Sequence, residues 1–395
     1  MRGKLSCFVV FLSLVLLTGF VLGGFAAEEE YKIGLVFDVG GKGDKSFNDS
    51  AARGLEWAKD GSEEFGKFET LPVSVTTIEP GSGGAGREDA MRMMAIQGFD
   101  LVIGVGFLFS DSAVALAEEF PSVSFAVVDF APPQDKEIPS NLRGLSFAEQ
   151  QGSFLVGAAA AMKTKRGTVG FIGGMSSPLI KKFEAGFRSG VWFIDPEIEV
   201  LSNYVGTTGA AFANPSKGKE LAKAQFDKGA DVIYHAAGLS GAGVIAAAAE
   251  RGRYAIGVDS DQNYLEPGHV LTSMLKRVDV AVYKTVRDVV NGEFTGGKNL
   301  HYGLEGNGVD YARDLFNQVE EFPEQVQRLK ETGKVSLPGL GQIQLPPKKV
   351  DELPEGNLLT EGMVKELENL KGKIIGDEIT IPTTPKNVSP KEPVK

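Results

Sequence analysis

Four aspartates, Asp38, Asp44, Asp129 and Asp259, each close or closely follow a short apolar run, and two glycine-rich loops, 40–50 and 238–243, occupy the same kind of position. Carboxylates so placed can act as general acids and bases or accept hydrogen bonds from hydroxyls, and nothing in their spacing separates the two uses. The loop GGKGDKSFNDS carries glycines and a Lys-Ser pair, as a phosphate loop does. Asp44, however, stands where G-x-x-x-x-G-K-S/T requires its second glycine, and a carboxylate there repels phosphate. GLSGAG has the order G-x-x-G-x-G rather than G-x-G-x-x-G, which makes it a tight turn with close backbone approach, not a dinucleotide turn. His235, His269 and His301 are far apart and lack ligand spacing, so no metal is expected. No G-x-S-x-G follows an apolar run, which removes the usual hydrolase nucleophile. The residues favour binding over turnover, and no enzyme activity and no cofactor are expected.

These groups need a scaffold, and the chain alternates apolar runs with amphipathic segments from Tyr31 onward. KIGLVFD, PVSVTTIE, DLVIGVG and SFAVVDF read as strands, with SFNDSAARGLEWAK, REDAMRMMAIQG and SDSAVALAEEFP as helices between them. A second series follows the small-residue helix EQQGSFLVGAAAAMK, with strands GTVGFIGG, EVLSNYVG, DVIYHAAG and YAIGVDSD. Continuous apolar runs separated by helices indicate parallel sheets covered on both faces. Phe47 precedes Gly54 by seven positions and Phe183 precedes Gly190 by seven, each in the first helix after a first strand, an echo that suggests two similar lobes. In open parallel sheets ligands gather at the carboxyl ends of strands, where the aspartates and glycine-rich loops fall.

Beyond Asp310 the pattern changes. FPEQVQRLKETGK reads as a helix, LPGLGQIQLPPKKVDELPEGN has no sustained period, VKELENLKGKII reads as a last helix, and TTPKNVSPKEPVK as a frayed tail.

Arg2 and Lys4, an apolar stretch over 8–22 and the small residues Gly24 and Ala26 form the order of an export signal cleaved after Ala26, with a retained apolar anchor as the alternative. Cys7, the only cysteine, lies before the apolar stretch, so a lipid-bearing cysteine at the cleavage point is excluded and the mature chain has no thiol. The formal charge of -11 disfavours nucleic acid as a partner.

Four strings carry a family resemblance: IGLVFDVGGKGDKSFNDSAARGLEWA; GFIGGM with FEAGFRSG; NPSKGKELAKAQFDKGADVIYHAAGLSGAGV; and YAIGVDSDQNYLEPGHVLTSMLKRVD. In order over 32–311 they resemble the basic membrane protein family, the purine nucleoside receptor-like substrate-binding proteins of ABC transporters. The resemblance implies a type I periplasmic binding protein fold: two doubly wound parallel-sheet α/β lobes on a three-segment hinge. Lobe 1 would comprise 31–145 and about 270–300, lobe 2 would comprise 146–269 and about 301–330, and 331–395 would form an extension.

Carried over by motif, the resemblance implies that Phe47 stacks on a purine, that Asp38 and Asn48 share one edge of the cleft, and that Asp129 bonds the base. Gly238 and Asp259 would receive the ribose, and Lys276 would donate to its hydroxyls. The family's Tyr-Val-Gly-Ser-Phe-like stretch is interrupted here as YVGTTGAAFANP, so Phe212 holds the second stacking position less firmly. The missing lipid cysteine is a second departure. From the residues alone, Phe47 serves equally as a core contact of its helix; the lesser alternatives are caps for Asp38 and Asp259 and a solvated charge for Lys276. The expectation is a monomeric, exported binding protein that passes inosine, guanosine or adenosine to an ABC permease. A receptor for a free sugar or signalling molecule, and an exported nucleoside hydrolase, are the alternatives.

Overall fold

The computed structural model describes residues 30–63, 68–81, 84–134, 136–313, 331–332, 334–337, 341–344, 358–391 and 394. The export signal expected at 1–26, and most of the helix expected over 322–334, lie outside the described residues.

The first apolar runs become β1 (Tyr31–Val36), β2 (Val73–Ile78), β3 (Leu101–Val105), β4 (Ser124–Val128) and β5 (Leu142–Phe147), with α1 (Phe47–Asp60), α2 (Arg87–Ile96) and α3 (Ser110–Glu119) between them. The second series gives α4 (Glu149–Lys163), β6 (Thr168–Met175), α5 (Pro178–Ile194), β7 (Glu199–Gly206), α6 (Pro215–Asp227), β8 (Val232–Ala236), α7 (Gly241–Glu250), β9 (Tyr254–Asp259) and β10 (Val270–Lys276). α8 (Val278–Val290), β11 (Lys298–Tyr302) and β12 (Val309–Tyr311) follow. Lobe 1 is a parallel sheet in the order β2-β1-β3-β4-β5-β11. Lobe 2 has the matching order β7-β6-β8-β9-β10-β12, with β12 antiparallel to β10. Every residue of β3 and of β8 is buried, because helices cover both faces of each sheet.

The chain passes between lobes three times, after β5, after β10 and after β11. Each of the first two passages exchanges a helix. α4 follows a lobe 1 strand but packs on α5, and α8 follows a lobe 2 strand but packs on α1. The sequence echo marks these two contacts. A β-carbon at Gly54 would strike the Asp279 carbonyl oxygen on α8, and one at Gly190 would strike the Phe154 carbonyl oxygen on α4.

Three boundaries differ from expectation. Strand 270–276 pairs in parallel with β9 and so lies in lobe 2, not in lobe 1. β5 stays in the first sheet to Phe147, which moves the start of lobe 2 to α4. β11 carries lobe 1 through Tyr302. Apolar strands fit either sheet by composition, and the ladder alone decides.

The described residues of the extension include two strands and a helix. β13 (Lys334–Leu337) and β14 (Gly341–Gln344) pair antiparallel across the start of the stretch without period. The last helix, α9 (Glu361–Ile375), is capped by the Thr360 side chain accepting from Met363 N–H, and it buries Met363, Leu367, Leu370 and Ile374. It packs on α4. Ile379 and Ile381, just after α9, are buried, and the tail expected to fray from Thr383 onward packs on α5 through a 3-10 turn, Pro385–Asn387.

Candidate ligand-binding cleft

The loop between β1 and α1 is organised by the carboxylate that excluded a phosphate loop. Asp44 Oδ1 accepts from the N–H groups of Ser46 (2.9 Å) and Asp49 (3.1 Å), and Oδ2 accepts from Asn48 N–H and Asn48 Nδ2, each at 2.9 Å. It thereby satisfies the open N–H groups at the start of α1. Burial pushes the Asp44 carboxyl above its ordinary pKa, and these N–H donors oppose the rise.

Asn48 is held from both sides, since its Oδ1 accepts from Asp38 N–H at 2.9 Å. Asp38 Oδ1 accepts from Val39 N–H and from Arg87 Nη2, both at 2.8 Å. The Arg87 guanidinium lies 5.5 Å from the centre of the Phe109 ring. Burial raises the Asp38 pKa, while Arg87 and the Val39 N–H pull it down.

Asp129 and Asp259 occupy matching positions at the carboxyl ends of β4 and β9, and both have left-handed backbone, with φ of 61° and 66°. That conformation is uncommon for a residue other than glycine and collects at functional positions. Lys276, at the end of β10, lies between them, and its Nζ is 2.6 Å from Asp129 Oδ1 and 3.2 Å from Glu149 Oε1. The Lys276 side chain is 1% exposed, which removes the reading of a solvated charge. Burial alone would lower its pKa, but Asp129, Glu149 and Asp259 together hold it above the ordinary lysine range. The rings of Phe47 (5.1 Å), Phe147 (5.1 Å) and Phe183 (5.4 Å) surround the ammonium, a cation–π arrangement in which little water competes.

The lobes are latched across the cleft. Ser46 Oγ donates to Asp259 Oδ2 at 2.6 Å, Ser260 Oγ donates to the Ser46 carbonyl at 3.1 Å, and Gln262 Nε2 donates to the Lys45 carbonyl at 2.9 Å. Burial pushes the Asp259 carboxyl up to about 7, against the pull of Lys276 and Ser46 and with the help of Asp44 and Asp129.

All eight residues singled out in the sequence, Asp38, Phe47, Asn48, Asp129, Phe212, Gly238, Asp259 and Lys276, line one cavity. Its free space is about 520 Å³, part of it open to solvent, inside the ~300–1,000 Å³ range of small-molecule pockets. Gly238 has φ of 53°, and its position holds the chain against Phe212. Phe107 and Phe183 add aromatic wall that the sequence reading did not assign. Phe183 was within reach, since the echo places it opposite Phe47. Glu149 and Arg87 were not, because each acts through another side chain. Among the described residues no group of His, Cys, Asp and Glu is arranged to hold a metal ion. His235 is fully buried in lobe 2, and burial lowers its pKa to about 4.

Two lobes with the same strand order, three connections between them and a ligand-sized cleft at the strand ends define a type I periplasmic binding protein. The sequence model for PnrA-like ABC transporter substrate-binding proteins matches residues 32–339. The chain is 32% identical over 384 residues to basic membrane protein A of Borreliella burgdorferi, covering 96% of each. It is 30% identical over 362 residues to the CD4+ T-cell-stimulating antigen of Listeria monocytogenes, covering 82% of this chain and 97% of that one. Among solved structures, an ABC transporter solute-binding protein from Aeropyrum pernix K1 superposes with a TM-score of 0.70 at 31% identity, covering 89% of this chain and 93% of that one. One from Conexibacter woesei, with a TM-score of 0.61 at 20% identity and covering 89% of this chain and 99% of that one, shares the fold. The chain belongs to the basic membrane protein family of PnrA-like ABC transporter substrate-binding proteins.

Proposed function

We propose that this substrate-binding protein captures a purine nucleoside between its lobes and delivers it to an ABC permease. The observation that carries the reading is the division of the cleft into two chemically different ends. At one end Asp129, Asp259 and Lys276 converge beside the hinge, a set of acceptors and one donor suited to a ribose diol. At the other, Asp38 and Asn48, joined by a hydrogen bond from Asp38 N–H to Asn48 Oδ1, offer an acceptor and a donor suited to the edge of a base. Phe47 and Phe212 supply aromatic surface for a flat ring. The family resemblance assigns Asp129 to the base; on the present reading its pairing with Lys276 favours the hydroxyl end.

Closure buries the ligand and supplies most of the affinity, so the lobe movement belongs to the binding step. The protein works as an exported monomer, free after loss of 1–26 or held by that segment; among the described residues no helix is long and apolar enough to cross a membrane. Amino-terminal sequencing of the native protein separates the two, because a start at Ala27 excludes the anchor.

Titration calorimetry and thermal shift with inosine, guanosine, adenosine, cytidine, ribose and free bases test the ligand class. Purine nucleosides should bind and stabilise most, and should be recovered intact. Stabilisation by a sugar or an amino acid with none by any nucleoside overturns the reading, and release of free base makes the protein a hydrolase.

A further inference from the structure

We propose that Asp38, Asn48 and Arg87 form a reader of the base edge that demands an N–H group on the ligand. The inference rests on the nucleoside reading and adds a selection rule to it. Asp38 Oδ1 is filled by Val39 N–H and Arg87 Nη2, both at 2.8 Å. Asp38 Oδ2 stands against Gly106, a residue of the cavity wall with φ of 112°, where a β-carbon would collide with it. Among the described residues no hydrogen bond reaches Oδ2, and Asp38 lines the cavity, so that oxygen is the one left for a ligand. An ionised carboxylate only accepts, and the Arg87 guanidinium beside Asp38 favours that form, opposing the rise that burial causes.

The orientation of the Asn48 amide is fixed by its neighbours. Its Oδ1 takes the Asp38 N–H and its Nδ2 gives to Asp44 Oδ2, each at 2.9 Å. A flipped amide would set N–H against N–H and oxygen against carboxylate. One N–H of Nδ2 remains, and since Asp38 and Asn48 both line the cavity, this wall offers a ligand an acceptor and a donor. The complementary ligand edge is an N–H beside an acceptor. Hypoxanthine and guanine have it as N1–H beside O6, and adenine as N6–H beside N1. Purine riboside and 6-methoxypurine riboside keep acceptors but have no N–H, and would leave Asp38 Oδ2 desolvated and unpaired. Arg87 is thus a positioning residue, acting through Asp38.

Titration calorimetry of the full-length protein with inosine, adenosine and these two analogues provides the test. The analogues should bind about 10- to 100-fold more weakly than inosine. Arg87→Met should let Asp38 take up a proton and donate, narrowing that gap to less than about threefold near neutral pH and shifting its reappearance to higher pH than in the wild type. Arg87→Lys should restore the gap. Equal affinity for all four ligands in the wild type overturns the inference and leaves the nucleoside reading standing, whereas failure of every nucleoside to bind removes both. Uniform weakening by Arg87→Met, with the ratio and its pH profile unchanged, overturns the role given to Arg87.

Discussion

Lys276 and Asp129 belong to different lobes, yet Lys276 Nζ lies 2.6 Å from Asp129 Oδ1, and the side chains are 1% and 4% exposed. The ion pair thus joins the two lobes in this closed arrangement. Glu149 Oε1 lies 3.2 Å from Lys276 and its Oε2 3.3 Å from Lys182 Nζ, so two cations neutralise the hinge end of the cleft and Lys276 is the buried one. Lys276→Met should leave Asp129 and Glu149 buried without it. Removing one partner of such a pair costs about 3–5 kcal/mol, so the closed form should become rare and nucleoside affinity should fall by about 100-fold or more. Small-angle scattering should report a more open ligand-free protein. Asp129→Asn should do less, because Glu149 still faces the ammonium. A Lys276→Met protein as compact and as tight-binding as the wild type would contradict this account.

Asp259 ties the same closure to pH. In the closed protein burial pushes its carboxyl up to about 7, whereas a carboxyl of the unfolded chain titrates near its ordinary ~3.9. Between those values the folded protein holds a proton that the unfolded chain has released, so stability falls as pH rises through that window. The melting temperature of the ligand-free wild type should therefore decline from about pH 5 to about pH 8 more steeply than that of Asp259→Asn, which has no proton to lose. Equal slopes for the two proteins would exclude Asp259 as the source.

Much of this arrangement was legible in the sequence because strand ends announce themselves. VVD and GVD each close an apolar run, and the residues that follow such runs in a parallel sheet face the cleft whatever their neighbours are. Helix α9 was legible from the spacing of Met363, Leu367, Leu370 and Ile374. The sheet to which β10 belongs was not, because VLTSMLK suits either core and the ladder with β9 is a long-range fact. Glu149 was hidden in a helix of small residues, where nothing local distinguishes a carboxylate that meets Lys276 from one in solvent. Arg87 likewise reads as an ordinary helix-start residue until Asp38, 49 positions away, is brought beside it.

Phe47 begins α1 at the cleft and shares one wall with the Asp44-capped loop. If its ring stacks on a base, Phe47→Ala should weaken nucleoside binding by ~1–3 kcal/mol, roughly 5- to 150-fold. Phe212→Ala should act in the same direction. Free ribose, which has no flat face, should lose little affinity with either change. Titration calorimetry separates the outcomes, and an equal loss for ribose and nucleoside would assign Phe47 to packing.

The glycine echo makes a prediction about the scaffold alone. Gly190 lies where α5 crosses α4, and a β-carbon there would meet the Phe154 carbonyl oxygen and the backbone nitrogen of Ala158. Gly186 and Gly157 bring the same two helices together through Gln150 and Phe187. Alanine at an interior helical position is ordinarily favoured over glycine by roughly 0.5–1 kcal/mol. Backbone does not yield as a flexible side chain would, so the helices must separate, at a cost of about 1–3 kcal/mol. The clash should win, and Gly190→Ala should lower the melting temperature rather than raise it. Gly372, on the surface helix α9 with nothing near its missing β-carbon, is the control, and Gly372→Ala should stabilise. Thermal unfolding of the two variants decides, and a stabilised Gly190→Ala protein would mean that close approach of α4 and α5 does not hold lobe 2 together.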